Sequence, residues 1–104
     1  MKAALLVALL ALGVPIRGAA AAPPTVHIHN YAFVPATLTV RAGTLVRFVN
    51  DDEEPHTATA LDKSFDSKGL DTNDSYTYTF TKPGTIAYLC TMHPMMRGTI
   101  VVMK

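Results

Sequence analysis

A single cysteine, Cys90, stands between two runs of strand-forming residues, and this limits the fold more than any other feature of the chain. Thr85-Ile86-Ala87-Tyr88-Leu89-Cys90 leads in, and Thr99-Ile100-Val101-Val102-Met103 leads out. Both are rich in the β-branched and aromatic residues that suit a pleated, half-buried surface. The short loop between them is Thr91-Met92-His93-Pro94-Met95-Met96-Arg97-Gly98. A thiol, an imidazole and thioethers are therefore presented together at one end of a β-structure.

Thiolate and thioether are soft ligands and imidazole is intermediate, a mixture that suits copper as both Cu(I) and Cu(II). Cys90-x-x-His93-x-x-Met96 supplies three such donors. A trigonal blue-copper site needs one more imidazole and a weak axial sulfur. Among His27, His29, His56 and His93, His56 is the best candidate to complete it. It lies at a loop-to-strand transition, and a Greek-key sandwich can set the ends of sequence-distant strands side by side.

The first residues read differently. Lys2 precedes an unbroken apolar run, Ala3 to Leu12, which is followed by Gly13, Pro15, Gly18 and the tract Ala19-Ala20-Ala21-Ala22. This is the layout of a secretory signal peptide with an A-x-A cleavage site. Residues 1–21 are expected to be the leader, cut after Ala21, with residues 22–104 as one domain. The apolar run is too short for a bilayer span, which needs roughly 20 residues. Loss of Lys2 and Arg17 moves the formal charge from +1 to about −1, which excludes nucleic-acid binding by charge. Small exported domains usually carry disulfides, but one cysteine forms none internally. A bound metal would both occupy the thiol and tie the loop to the core.

The remainder alternates as strands do. Thr25–Asn30, Thr37–Val40, Thr44–Asn50, Pro55–Ala60 and Ser75–Thr81 are the further strand candidates, separated by turn signals such as Arg41-Ala42-Gly43 and Lys82-Pro83-Gly84. Phe65 and Leu70 are the apolar anchors of the polar stretch Leu61–Asp74. The expectation is an all-β, Greek-key β-sandwich of about seven or eight strands. Tyr88, two residues before the cysteine, fits either a tyrosine corner or a core tyrosine whose hydroxyl reaches the surface.

Asn50 with Pro55-His56-Thr57, the segment Tyr76–Thr85, and Cys90-Thr91-Met92-His93-Pro94-Met95-Met96-Arg97-Gly98 together resemble the plastocyanin-type cupredoxins, most closely those of the amicyanin kind. The resemblance runs from about Val26 to Val102. It implies one mononuclear type 1 copper per chain, held by His56, Cys90, His93 and Met96. Met95 stands where amicyanins usually have an aromatic residue, so two adjacent methionines compete for the axial role, and spacing favours Met96. The resemblance also implies that Asn50 ties the two ligand-bearing regions together.

Such a site leaves copper no good open position, which argues for one-electron transfer rather than enzymatic chemistry, since catalytic metals keep an exchangeable site. The expected protein is an exported, periplasmic, monomeric electron shuttle. A redox partner, a dehydrogenase or a c-type cytochrome, would dock briefly on an apolar patch around His93 formed by Met92, Pro94, Met95 and Pro55. A copper carrier without a relay role is the alternative, kept open by Met92, Met95, His27 and His29. His27 and His29 fit either a solvated strand face or a second, labile metal site. Asp51–Glu54 fits a solvated loop that could also steer a cationic partner.

Overall fold

The computed structural model describes residues 22–104, so the expected leader lies outside the described residues. Eight strands run in chain order: β1 Thr25–Ile28, β2 Phe33–Val34, β3 Thr37–Arg41, β4 Thr44–Asn50, β5 Thr59–Ala60, β6 Ser75–Phe80, β7 Gly84–Leu89 and β8 Arg97–Met103. They form two four-stranded sheets, ordered β2-β1-β4-β6 and β3-β8-β7-β5. β1 lies parallel to β4, and β3 parallel to β8. The chain therefore crosses repeatedly between sheets, which is the expected Greek-key sandwich.

Alternation in the sequence becomes the core. In β6, Tyr76, Tyr78 and Phe80 turn inward while the intervening threonines stay exposed. In β8, Gly98, Ile100 and Val102 are the buried set. Val26, Ile28, Val46 and Phe48 come from one sheet, and Tyr88, Ile100 and Val102 from the other. Phe65 and Leu70 anchor the long connection as expected, both buried. Phe65 stacks on Phe48 at 5.6 Å and meets Phe80 edge-on at 5.5 Å. Full burial of one such ring contributes about 1.5–3 kcal/mol, so Phe65 holds a segment that has little regular structure of its own.

Two local expectations change. The strand expected over Pro55–Ala60 is confined to Thr59–Ala60. Pro55 has no N–H to give a ladder, and both main-chain groups of His56 are taken by Leu70, at 3.1 and 2.8 Å. His56 thus sits on an isolated bridge outside the sheet.

Tyr88 fits neither expectation. It is fully buried, and its hydroxyl meets no hydrogen-bond partner among the described residues. Burial drives the phenol far above its ordinary pKa. Its ring lies over Gly98, its register partner on β8. A methyl group at residue 98 would overlap the ring carbons and hydroxyl of Tyr88.

Gly98→Ala should therefore destabilise the protein by about 1–3 kcal/mol, the range for overpacking a filled core. Urea denaturation of wild type and variant measures it, and an unchanged midpoint would remove this account of Gly98.

Candidate metal centre

The loop after β7 is held by its own backbone. His93 N–H donates to the Cys90 carbonyl at 3.2 Å, Met96 N–H to the His93 carbonyl at 2.8 Å, and Cys90 N–H to the Met96 carbonyl at 3.2 Å. Residues at spacing three are thereby linked to one another in a closed set. Their relative placement depends on main-chain geometry, which persists when side chains change.

His56 reaches the same point from the β4–β5 connection. Its Nδ1 lies 3.8 Å from Cys90 Sγ, and His93 Nδ1 lies 3.7 Å from the same sulfur. All three donor atoms fall within 4.8 Å of one another. Bonds of about 2.3 Å to sulfur and about 2.0–2.1 Å to nitrogen, across a trigonal angle, separate S from N by about 3.8 Å. Both sulfur–nitrogen spacings fit one ion shared with the thiolate. Cys90 and His56 are fully buried, while His93 is partly exposed. The two methionines separate cleanly: Met96 is 3% exposed and belongs to the core cluster, whereas Met95 is 79% exposed.

His27 and His29 lie elsewhere, both exposed. His27 Nδ1 pairs with Asp51 Oδ2 at 2.7 Å. Among the described residues, His56, Cys90 and His93 are the one group of three or more such side chains at ligating distance.

Three residues to which the sequence assigned no part in positioning the ligands, Thr57, Asp52 and Tyr31, surround the donors. Thr57 is the latch between the two ligand-bearing segments. Its N–H donates to Cys90 Sγ at 3.3 Å, and its hydroxyl oxygen accepts the Thr91 N–H at 2.9 Å. This link was expected of Asn50. Asn50 is buried, but it donates to the carbonyls of Glu54 and Leu70 and accepts from the Asp52 N–H, so its side chain braces only the His56 side.

Asp52 belongs to the acidic loop Asp51–Glu54, but its side chain is turned in toward His56. Its Oδ2 lies 2.9 Å from His56 Nε2, and the carboxylate also accepts the N–H groups of Asn30 at 2.6 Å and Tyr31 at 2.9 Å. Burial works to raise its pKa, but the hydrogen bonds from Tyr31, Asn30 and His56 prevail and hold it below the usual carboxylate range. Asn30 and Tyr31 both have positive φ, 57° and 60°, a region that costs energy for residues with a Cβ. The Asp52 carboxylate offsets that strain. Tyr31 lies edge-on to His56 and to His93, 5.1 Å from each ring, with half of its own surface exposed. An aspartate four residues before the histidine was the available clue to Asp52; for Tyr31 the local sequence carries none.

The chain matches the model of the cupredoxin-like domain over residues 2–102. It is 31% identical over 92 residues to amicyanin-alpha of Methylorubrum extorquens, which covers 84% of this chain and 77% of that protein. A solved amicyanin superposes with a TM-score of 0.74 at 29% identity, over 81% of this chain and 85% of its own. A Cu-containing nitrite reductase from Thermus scotoductus SA-01 gives a TM-score of 0.79 at 32% identity. That match covers 89% of this chain, which spans only 25% of the reductase chain.

Removal of the latch hydroxyl should be measurable. Thr57→Val leaves the Thr91 N–H without its acceptor, and stability should fall by about 1–2 kcal/mol. Thr57→Ser should recover most of the loss in the same urea titration. Equal stability of all three proteins would show that the latch carries no weight.

Proposed function

The chain belongs to the cupredoxin-like family, and on that premise we propose that it is an exported blue copper protein that relays single electrons between redox partners. The observation that carries this reading is the pair of sulfur–nitrogen distances, 3.8 and 3.7 Å, around a buried thiol. We assign His56 Nδ1, Cys90 Sγ, His93 Nδ1 and the Met96 thioether as the donors that would hold the copper. One copper, when bound, supplies a Cu(II)/Cu(I) couple that passes one electron at a time.

The chain's own residues would keep that exchange fast. The backbone-bonded loop and the Thr57 latch hold the donors near one geometry, so little has to move between oxidation states. The Thr57 N–H on Cys90 Sγ draws charge from the sulfur, one of the levers on potential at such sites. Two imidazoles, a thiolate and a thioether would hold the ion and leave it no exchangeable position, and this favours a carrier over an enzyme. The nitrite reductase shares a domain of this shape, but with a quarter of its chain spanned, its activity does not come over with the fold.

His93 is the port. Around it Met95 is 79% exposed, Met92 is 47% exposed, and Pro94 and Pro55 are exposed as well. An apolar rim of this kind suits a small, short-lived interface with a redox protein such as a dehydrogenase or a c-type cytochrome. The same exposed thioethers, Met92 and Met95, favour the second reading, a copper carrier that hands Cu(I) on.

Spectra separate the two. The Cu(II) protein should show an intense thiolate-to-copper visible band that Cys90→Ala abolishes. Met95→Leu should leave band and potential unchanged, while Met96→Leu should shift both. A colourless protein that takes up Cu(I) and releases it to an acceptor would decide for the carrier.

Export rests on the leader pattern of residues 1–21. Expressed in a Gram-negative host, the protein should be recovered from the periplasm with Ala22 as its first residue, by intact mass. Retention of the full-length chain in the cytoplasm would overturn this assignment.

A further inference from the structure

Asp52 is held more firmly than a surface-loop aspartate needs to be. Its N–H donates to Asn50 Oδ1 at 2.9 Å, and its carbonyl accepts the Thr72 hydroxyl at 2.7 Å. With its main chain fixed on both sides, the carboxylate is aimed at three donors: Asn30 N–H, Tyr31 N–H and His56 Nε2. Its side chain is only 11% exposed, and the His56 ring is fully buried. Among the described residues, His56 is its one salt-bridge partner.

An ionised carboxylate can only accept hydrogen bonds. His56 Nε2 must therefore carry the proton, which leaves the lone pair on Nδ1, the atom facing Cys90 Sγ. A carboxylate behind a ligating histidine fixes its tautomer and raises its basicity. It also sets a negative charge one imidazole away from the ion. That charge stabilises the more positive oxidation state more than the other.

We infer that Asp52 is a positioning residue that locks His56 in the metal-binding tautomer and, through its charge, biases the centre toward Cu(II). This rests on the blue-copper reading given above. The same carboxylate holds the Asn30–Tyr31 turn, which lays the Tyr31 ring against both imidazoles. Asp52 thus couples the outer covering of the site to the orientation of its most buried histidine.

The first test uses neither copper nor a variant. Imidazole ¹⁵N shifts of the metal-free protein near neutral pH should report His56 as the Nε2–H tautomer; the Nδ1–H form would overturn the inference. The second test is redox. Asp52→Asn removes the charge and turns an amide N–H toward at least one of the three donors. Its reduction potential should move positive, with the Cu(II) dissociation constant rising at least tenfold more than that of Cu(I). Asp52→Glu, which keeps the charge, should move the potential less. A merely structural residue would weaken both oxidation states alike and leave the potential where it was, and that result would sink the proposal. Absence of the blue band from wild type would instead strike the underlying functional reading, so the two failures are distinguishable.

Discussion

Thr57 N–H on the sulfur of Cys90, and Thr91 N–H on the hydroxyl of Thr57, join segments 33 and 34 residues apart in the chain. The rest of the site depends on this junction. Without it, the loop after β7 would keep its internal backbone bonds but lose its register against the connection that bears His56. The register matters because a thiolate and two imidazoles bind one ion well only when their donor atoms sit within a few tenths of an ångström of the required spacing. The sandwich supplies the coarse approach by bringing the β4–β5 connection beside the end of β7. Two hydrogen bonds finish the alignment.

Around that junction the environment is sharply two-sided. Toward the core, Cys90 and Met96 lie in one cluster with Phe48, Tyr88 and Ile100. Low polarity there keeps water from the sulfur. On the loop side, Asp52 gathers Asn30, Tyr31 and His56 onto one carboxylate. The outer rim is again apolar, with Met92, Met95 and Tyr31 exposed. Polar control of one histidine therefore lies behind the site, and the other, partly exposed, lies before it. Under the relay function proposed above, docking at the rim would not need to disturb the groups proposed to set the potential.

Much of the fold could be read directly. Alternation placed the cores of β4, β6 and β8, and turn residues separated them. The exceptions share a cause. His56 leaves the expected strand because Leu70, fourteen residues on, captures its main chain. Tyr88 loses its hydroxyl's access to solvent because Gly98, opposite on β8, lets the ring settle into the core. Asn50 does not reach the Cys90 loop, because its side-chain hydrogen bonds end on Asp52, Glu54 and Leu70; Thr57 makes that link instead, through partners 33 and 34 residues away. His27 meets Asp51 across 24 residues of chain, a pairing that strand alternation does not announce.

What the amino-acid sequence settled by itself is whatever is local: strand periodicity, the loop Cys90-x-x-His93-x-x-Met96 and the chemical softness of its donors. These follow from residue type and short spacing, where main-chain geometry leaves few choices. Tertiary structure alone decided the rest. It turned the Asp52 carboxylate onto His56, placed Thr57 between the two ligand-bearing segments, and laid Tyr31 across both imidazoles. The links through Thr57 and to Tyr31 join residues 21 to 34 apart, and His56, although only four residues from Asp52, is held by its bridge to Leu70. The direction of a side chain at such a contact is set by how two sheets pack, and short-range patterns do not encode it.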